Sequence, residues 1–266
     1  MFQIGEKINM ARVIVVTSGK GGVGKTSVTS NLGITLAKDS KVCLIDADLG
    51  LKNLDVVLGI ENRVVFDMQD VISGVCSLAQ ALVKDKRNNN LYVLPACKSI
   101  DVQKINFSYL EKIIGDLKES FDYILIDSPA GIERGFHNAI RNADEAIVVV
   151  TLDISSIRDA DKVVGILNGS GIQDVKLIIN RVNMKHIEDG VSLTMSDAVD
   201  VLGVGVLGVV YYDDMISLGN NKGVPVSHNT KCLAAKCFHN IGKRINGENV
   251  ELMKYKKKSF FEKLFS

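Results

Sequence analysis

The sequence predicts an α/β protein built on a doubly wound, mostly parallel sheet with helices on both faces. Two observations carry that reading. Short apolar runs alternate with segments of helical periodicity, the pattern of successive βαβ units. Most of the runs are apolar at every position, as strands covered on both sides must be. With 266 residues, 46% of them hydrophobic and 24% charged, the chain can bury such a core.

The elements follow in order. A strand at Val13–Thr17 leads into a glycine-rich turn and a helix over Ser27–Lys38. A second strand, Lys41–Ile45, ends on Asp46-Ala47-Asp48, and helices follow at Asp67–Ile72 and Leu78–Val83. Strands at Leu91–Leu94 and Tyr123–Ile126 flank a helix over Phe107–Glu119. A helix over Glu133–Asn142 then leads to a strand at Ala146–Val150, and a helix over Ser155–Leu167 to one at Val175–Ile179. The helix Ser196–Leu202, the strand Val206–Val210 and the helix Cys232–Ile245 complete the set. The three prolines fall in loops, and no repeat or low-complexity tract interrupts the pattern. One domain is expected over residues 11–249, between an extension (1–10) and a tail (250–266).

The turn after the first strand reads Gly19-Lys20-Gly21-Gly22-Val23-Gly24-Lys25-Thr26. It fits G-x-x-x-x-G-K-[ST], a phosphate-binding loop, in the required strand–loop–helix context. Glycines let successive backbone N–H groups face one anion, and the helix N-terminus adds positive potential. Lys25 supplies a point charge to the outer phosphates, and Thr26 a hydroxyl to Mg²⁺. Two other readings compete. Gly19-x-Gly21-x-x-Gly24 also satisfies a dinucleotide fingerprint, with Asp46 placed as a ribose acid, but gives Lys25 and Thr26 no role. A glycine turn with no ligand is the third.

In an open parallel sheet, ligands bind at the carboxyl ends of strands. Asp48 lies just past the second strand, and Asp127 ends the Tyr123–Ile126 strand ahead of Ser128-Pro129-Ala130-Gly131. An apolar strand closed by Asp is the form that holds Mg²⁺ in phosphoryl-transfer sites. Taken alone, each Asp is as readily a helix cap or turn residue. Lys20 is a second lysine in the loop. It is either solvated, or it stabilises transition-state charge in trans as an arginine finger does.

A net charge of +1 makes no global case for nucleic acid. The cysteines (Cys43, Cys76, Cys97, Cys232, Cys237) are odd in number and form no C-x-x-C pair, which suits a reducing cytoplasm. The histidines (His137, His186, His228, His239) are scattered and suggest no metal site. The longest apolar run, Val201–Val210, holds three glycines and is half a membrane span.

The stretch Lys20 to Thr26 is similar to the hallmark loop of the deviant Walker-A ATPases, the P-loop NTPase family of MinD, ParA and the nitrogenase iron protein. Within that family the chain resembles the MinD group of division-site ATPases. The resemblance rests also on Asp48-Leu49-Gly50-Leu51-Lys52-Asn53-Leu54-Asp55, Asp127-Ser128-Pro129-Ala130-Gly131-Ile132-Glu133 and Ser155-Ser156-Ile157-Arg158-Asp159-Ala160-Asp161.

It implies a Mg²⁺-dependent ATPase that forms an ATP-bound homodimer, with Gly19, Lys20, Gly21, Gly22, Val23, Gly24, Lys25, Thr26 and Ser27 around the phosphates. Lys20 would cross to the partner's phosphates. Thr26, Asp48 and Asp127 would hold Mg²⁺, and Asp48 would orient the attacking water. Asn180 and Arg181 match the adenine-contacting pair, and Asp159 a position near the partner-binding face. A MinE-like activator and a MinC-like division inhibitor are the implied partners. The implied location is the cytoplasm, peripheral on the inner face of the cell membrane when ATP is bound. Tyr211-Tyr212-Asp213-Asp214 departs from the family by lacking a proline in its base-contacting loop.

Three relatives of that loop are rivals. A ParA-type partition ATPase needs a basic DNA-binding surface. An iron–sulfur reductase needs cysteines paired at a dimer axis. A flagellar-placement ATPase carries an N-terminal activator segment that residues 1–10 do not resemble.

The last sixteen residues hold five lysines and two acids. Lys257 and Lys258 precede Ser259-Phe260-Phe261-Glu262-Lys263-Leu264-Phe265, where Ser259 and Glu262 form a capping box. Phe260, Phe261, Leu264 and Phe265 fall on one helical face. The segment is too short to be a stable helix in water. A disordered basic tail, a helix docked on its own domain and an amphipathic helix on an anionic membrane all fit it.

Overall fold

The computed structural model describes residues 11–48, 53–97, 108–229 and 231–255. The N-terminal extension, the start of the predicted Phe107 helix and the candidate membrane residues Lys257, Lys258, Phe260, Phe261, Leu264 and Phe265 lie outside them. So do residues 49–52, which belong to the segment after Asp48.

An eight-stranded sheet organises the chain: β1 (Arg12–Thr17), β2 (Val42–Asp46), β3 (Val83–Lys84), β4 (Leu91–Leu94), β5 (Tyr123–Asp127), β6 (Glu145–Val150), β7 (Asp174–Val182) and β8 (Gly205–Tyr211). Their order is β3-β4-β2-β5-β1-β6-β7-β8. All pairs are parallel except β3 with β4. β2 and β5 are buried at every position, and β1 at all but Arg12, which explains their unbroken Val/Ile/Leu runs.

The helices are α1 (Lys25–Leu36), α2 (Leu54–Leu58), α3 (Met68–Ile72), α4 (Leu78–Ala81), α5 (Ser108–Lys118) and α6 (Arg134–Ile140). Then follow α7 (Ile154–Gly169), α8 (Met184–Glu188), α9 (Met195–Leu202), α10 (Asp214–Asn221) and α11 (Leu233–Ile245). α1 carries the chain from β1 to one side of the sheet and α7 carries it from β6 to the other. With right-handed crossovers these two helices cover opposite faces. The reversal of winding falls beside β1, which places a ligand crevice at the carboxyl ends of β1, β5 and β2.

One expected helix needs correcting. The segment Leu78–Val83 does not stay helical to its end: α4 stops at Ala81 and Leu82 turns extended (φ −70°, ψ 116°). Val83 then pairs with Val93 and Lys84 with Tyr92. The β-branched Val83 gains a strand partner and 92% burial there, which outweighs one more helical turn. Residues 250–255, counted with the tail on sequence grounds, run back across the domain. Tyr211 Oη donates to the Met253 carbonyl (2.7 Å), and Arg244 donates to the carbonyls of Val250 and Glu251 (both 2.7 Å).

Candidate functional site

The glycine loop joins β1 to α1. Gly24 has φ +98°, a left-handed conformation that starts α1 directly from the turn. Gly19 answers a different need. A Cβ there would stand 2.3 Å from the Asp159 backbone, so glycine lets the loop rest on α7. Lys20, Gly21 and Gly22 form the exposed rim, whereas Val23 and Lys25 are buried.

The carboxylates come from the neighbouring strands. Asp127 ends β5 and stands in register with Val16 of β1 and Asp46 of β2. It is buried, with Oδ2 accepting from Thr26 Oγ1 (2.7 Å) and Oδ1 from Thr29 Oγ1 (3.1 Å). Burial raises its carboxyl to about 6, against the pull of Thr26, Lys25 and Thr29. Lys25 is held below the ordinary lysine range by burial, while Asp127 and Asp48 pull it back. Asp48 is partly exposed at the mouth of this group.

The dinucleotide fingerprint makes Asp46 a ribose acid, and the structure gives it another task. Its carboxylate accepts from the amides of Asp48 (3.1 Å) and Leu54 (3.3 Å), tying the end of β2 to the start of α2. Burial first, then the charge of Asp127, lifts it to about 8. Thr29 also went unread, although it follows Lys25 by one helical turn.

Lys20 turns away from its own loop. Its ammonium bonds Ser155 Oγ (2.7 Å) and Asp153 Oδ1 (3.2 Å) at the start of α7, with 44% of the side chain exposed. Asp153 caps α7 by accepting from the Ser156 amide (2.9 Å) and also accepts from Thr151 Oγ1 (2.5 Å). Partial burial pushes its carboxyl up, but the bonds from Ser155, Thr151, the Ser156 amide and Lys20 outweigh it and hold it below the usual carboxylate range. The sequence reading missed Asp153: an acid just ahead of a helix is a cap signal, but its link to Lys20 spans 133 positions.

Asn180 and Arg181 sit in an irregularity of the β7–β8 pairing. Asn180 is buried and donates Nδ2 to the Val23 carbonyl (2.8 Å), so it braces the loop from behind, while its Oδ1 is buried without a partner. Arg181 has φ +56° and is exposed beside a cavity of about 230 Å³ also lined by Thr151, Asn183 and His186. Ser27 accepts from Asn220 Nδ2 of α10 (2.7 Å). Asp159 is an α7 side chain paired with Lys162 (3.4 Å).

A phosphate cradle, a buried lysine, one hydroxyl and adjacent carboxylates are hard oxygen and cation partners that fit a Mg²⁺–nucleoside phosphate. Among the described residues no cluster of three His, Cys, Asp or Glu could hold a metal unaided. Mg²⁺ is commonly held by one or two protein oxygens together with phosphates and waters, a set that Thr26 and the adjacent carboxylates can supply.

A family model described as an AAA domain matches residues 11–195. The septum site-determining protein MinD of Thermotoga maritima is 48% identical over 246 residues, 91% of each chain. Among solved structures, a MinC:MinD cell division protein complex from Aquifex aeolicus superposes with TM-score 0.87 at 42% identity, covering 92% of this chain and all of that one. MinD from Pyrococcus horikoshii, complexed with Mg-ADP, gives TM-score 0.81 at 33% identity over 89% of this chain and 96% of that one.

Proposed function

The chain belongs to the MinD family of septum site-determining proteins, and from that premise we propose an ATP-driven, membrane-associated switch that places the division site. The observation that carries the chemistry is the meeting of Lys25, Thr26 and Asp127 at the base of the glycine loop. The amides from Gly19 to Ser27 would receive the phosphates of ATP, with Lys25 against the outer ones. Thr26 and Asp127, with Asp48, would hold Mg²⁺, which when bound neutralises charge building on the phosphates. Asp48, at the open mouth, would orient the attacking water. The buried acceptor Asn180 Oδ1 suits the amino group of adenine.

Lys20 gives the switch its second half. It is bound to Asp153 and Ser155 at the surface of its own chain. In an ATP-bound homodimer it would leave them for the phosphates across the interface. Two C-terminal tails would then face one membrane. Four large apolar side chains are worth roughly 6–12 kcal/mol if fully buried. Interfacial burial is partial, and ordering the helix costs about 1–2 kcal/mol per residue. One tail is therefore weak and two act by effective concentration. The Aquifex MinC:MinD complex supports a MinC-like inhibitor as partner. Asp159 would lie near the face that receives it, and a MinE-like activator would stimulate hydrolysis.

The test is co-sedimentation of the full chain with vesicles of phosphatidylglycerol and phosphatidylcholine. ATP should bring it down and ADP should not, and Lys20→Ala should abolish the difference. Equal pelleting with ADP would sink the switch.

A further inference from the structure

A cavity of about 350 Å³ lies between the end of α1 and α11. Thr35 on its wall is ten residues past Lys25, roughly 15 Å along the helix from the phosphate loop. Ala235 and Met253 give it an apolar side, and the exposed Lys38, Lys236 and His239 line it with Asn240. Neither lysine has an ion-pair partner among the described residues. Burial, and then Lys38 and Lys243, hold the His239 imidazole below its ordinary range, against Glu248 and Asp39. Ser227 also lines the cavity. Its amide donates to Asn31 Oδ1 (2.9 Å), but its hydroxyl is buried with no partner. Two lysines with no ion-pair partner among the described residues, an unspent hydroxyl donor and an apolar side call for an anion that carries an apolar flank.

Position selects which anion. Met253 is pinned by Tyr211 Oη through its carbonyl and lies against Cys237 Sγ (3.9 Å). Three residues on begins the run Lys256-Lys257-Lys258, followed by Phe260 and Phe261. The cavity thus opens at the root of the segment read above as membrane-binding. We propose that it takes the phosphate headgroup of an anionic phospholipid. Lys38 and Lys236 would pair with the phosphate, the Ser227 hydroxyl would donate to it, and Met253 would pack against the glycerol. The proposal rests on the membrane reading of the tail and adds a lipid site on the folded domain.

The experiment is an NMR titration of the full, ATP-loaded chain, following the Met253 methyl and the His239 imidazole. The probe is dihexanoyl phosphatidylglycerol below its micelle concentration. Saturable shifts at both residues are expected. Lys38→Gln with Lys236→Gln should weaken them by roughly tenfold or more. Ser227→Ala, which removes a hydroxyl with no protein partner, should weaken them several-fold without lowering the unfolding midpoint. Glycerol 3-phosphate should bind at least roughly tenfold more weakly, since it lacks the apolar flank. No saturable shift, or equal shifts in the double variant, overturns the site. Equally tight glycerol 3-phosphate overturns the lipid assignment in favour of a soluble phosphate ester. Vesicle pelleting of the unmodified chain separates the two readings. If it pellets with ATP while Met253 and His239 stay silent in the titration, only the cavity proposal fails. If it never pellets, the membrane reading itself has failed.

Discussion

Burial lifts Asp127 to about 6, and burial with the neighbouring charge of Asp127 lifts Asp46 to about 8. Both lie above the ordinary carboxylate value, so the folded chain keeps protons that the unfolded chain has released. The stability these groups contribute is full below about pH 4 and is lost as pH rises through their folded values, at about 1.4 kcal/mol per unit of displacement. Burial holds His228 and His239 below their ordinary range, so their contribution rises with pH over the same window and must be cancelled by comparison. Relative to a variant with Asp46→Asn and Asp127→Asn, the nucleotide-free protein should have a thermal midpoint that falls between about pH 5 and 8. Mg-ADP should flatten that relative slope, because a bound cation stabilises the ionised acids. A relative midpoint that rises over the same range would refute the account. At this scale the sequence was legible where chemistry is contiguous. Lys25 and Thr26 are adjacent, and Asp127 closes an apolar strand. Asp46 enters the sequence reading only through the weaker dinucleotide fingerprint, because its bond to the Leu54 amide spans eight positions that no local pattern joins. The partners of Lys20 lie more than 130 positions away, and no local pattern joins them.

Elements were legible in proportion to what they bury. Strands such as β2 and β5, covered on both faces, stand out as solid apolar runs. The helices α2, α8 and α10 give no periodic signal in the sequence because their faces are mixed. Val56, Met215 and Leu218 are exposed, and α8 buries no residue. β3 is two residues long and exists only through its pairing with β4. α11 has a role that periodicity does not reveal. Arg244 near its end donates to the carbonyls of Leu207 (2.9 Å), Val250 and Glu251, so one guanidinium ties β8, α11 and the following segment together. Arg244→Ala should cost about 1–3 kcal/mol in urea unfolding, since bonds from a charged donor are lost at a partly exposed site. It should also open residues 250–255 to protease. Arg244→Lys should recover little, because a point charge cannot span three acceptors. Unchanged cleavage after Lys254 in the alanine variant would show that Arg244 does not clamp this segment.

For the whole molecule the question is where the domain ends and the tail begins. Composition changes after Asn249, where lysines and phenylalanines accumulate, which puts the boundary there on sequence grounds. Packing continues further. Met253 is bonded to Tyr211, and the Tyr255 ring lies 5.3 Å from that of Tyr211. Composition registers the chemistry of a segment but not whether it folds back, because the contacts that hold it lie some forty positions away. Two truncations distinguish the boundaries. A chain ending at Tyr255 keeps these contacts and loses only residues 256–266, so its unfolding midpoint and ATP hydrolysis should match the full chain. On the membrane reading, its pelleting with ATP should vanish. A chain ending at Asn249 should lose pelleting and, in addition, about 1–3 kcal/mol of stability, the scale of a few lost hydrogen bonds and one part-buried apolar side chain. If the Tyr255 truncation still pelleted as fully as the whole chain, the phenylalanine face would not be the membrane anchor, and the lipid contacts would have to lie on the folded domain. If the two truncations were equally stable, residues 250–255 would contribute nothing to the domain, and the boundary would return to Asn249.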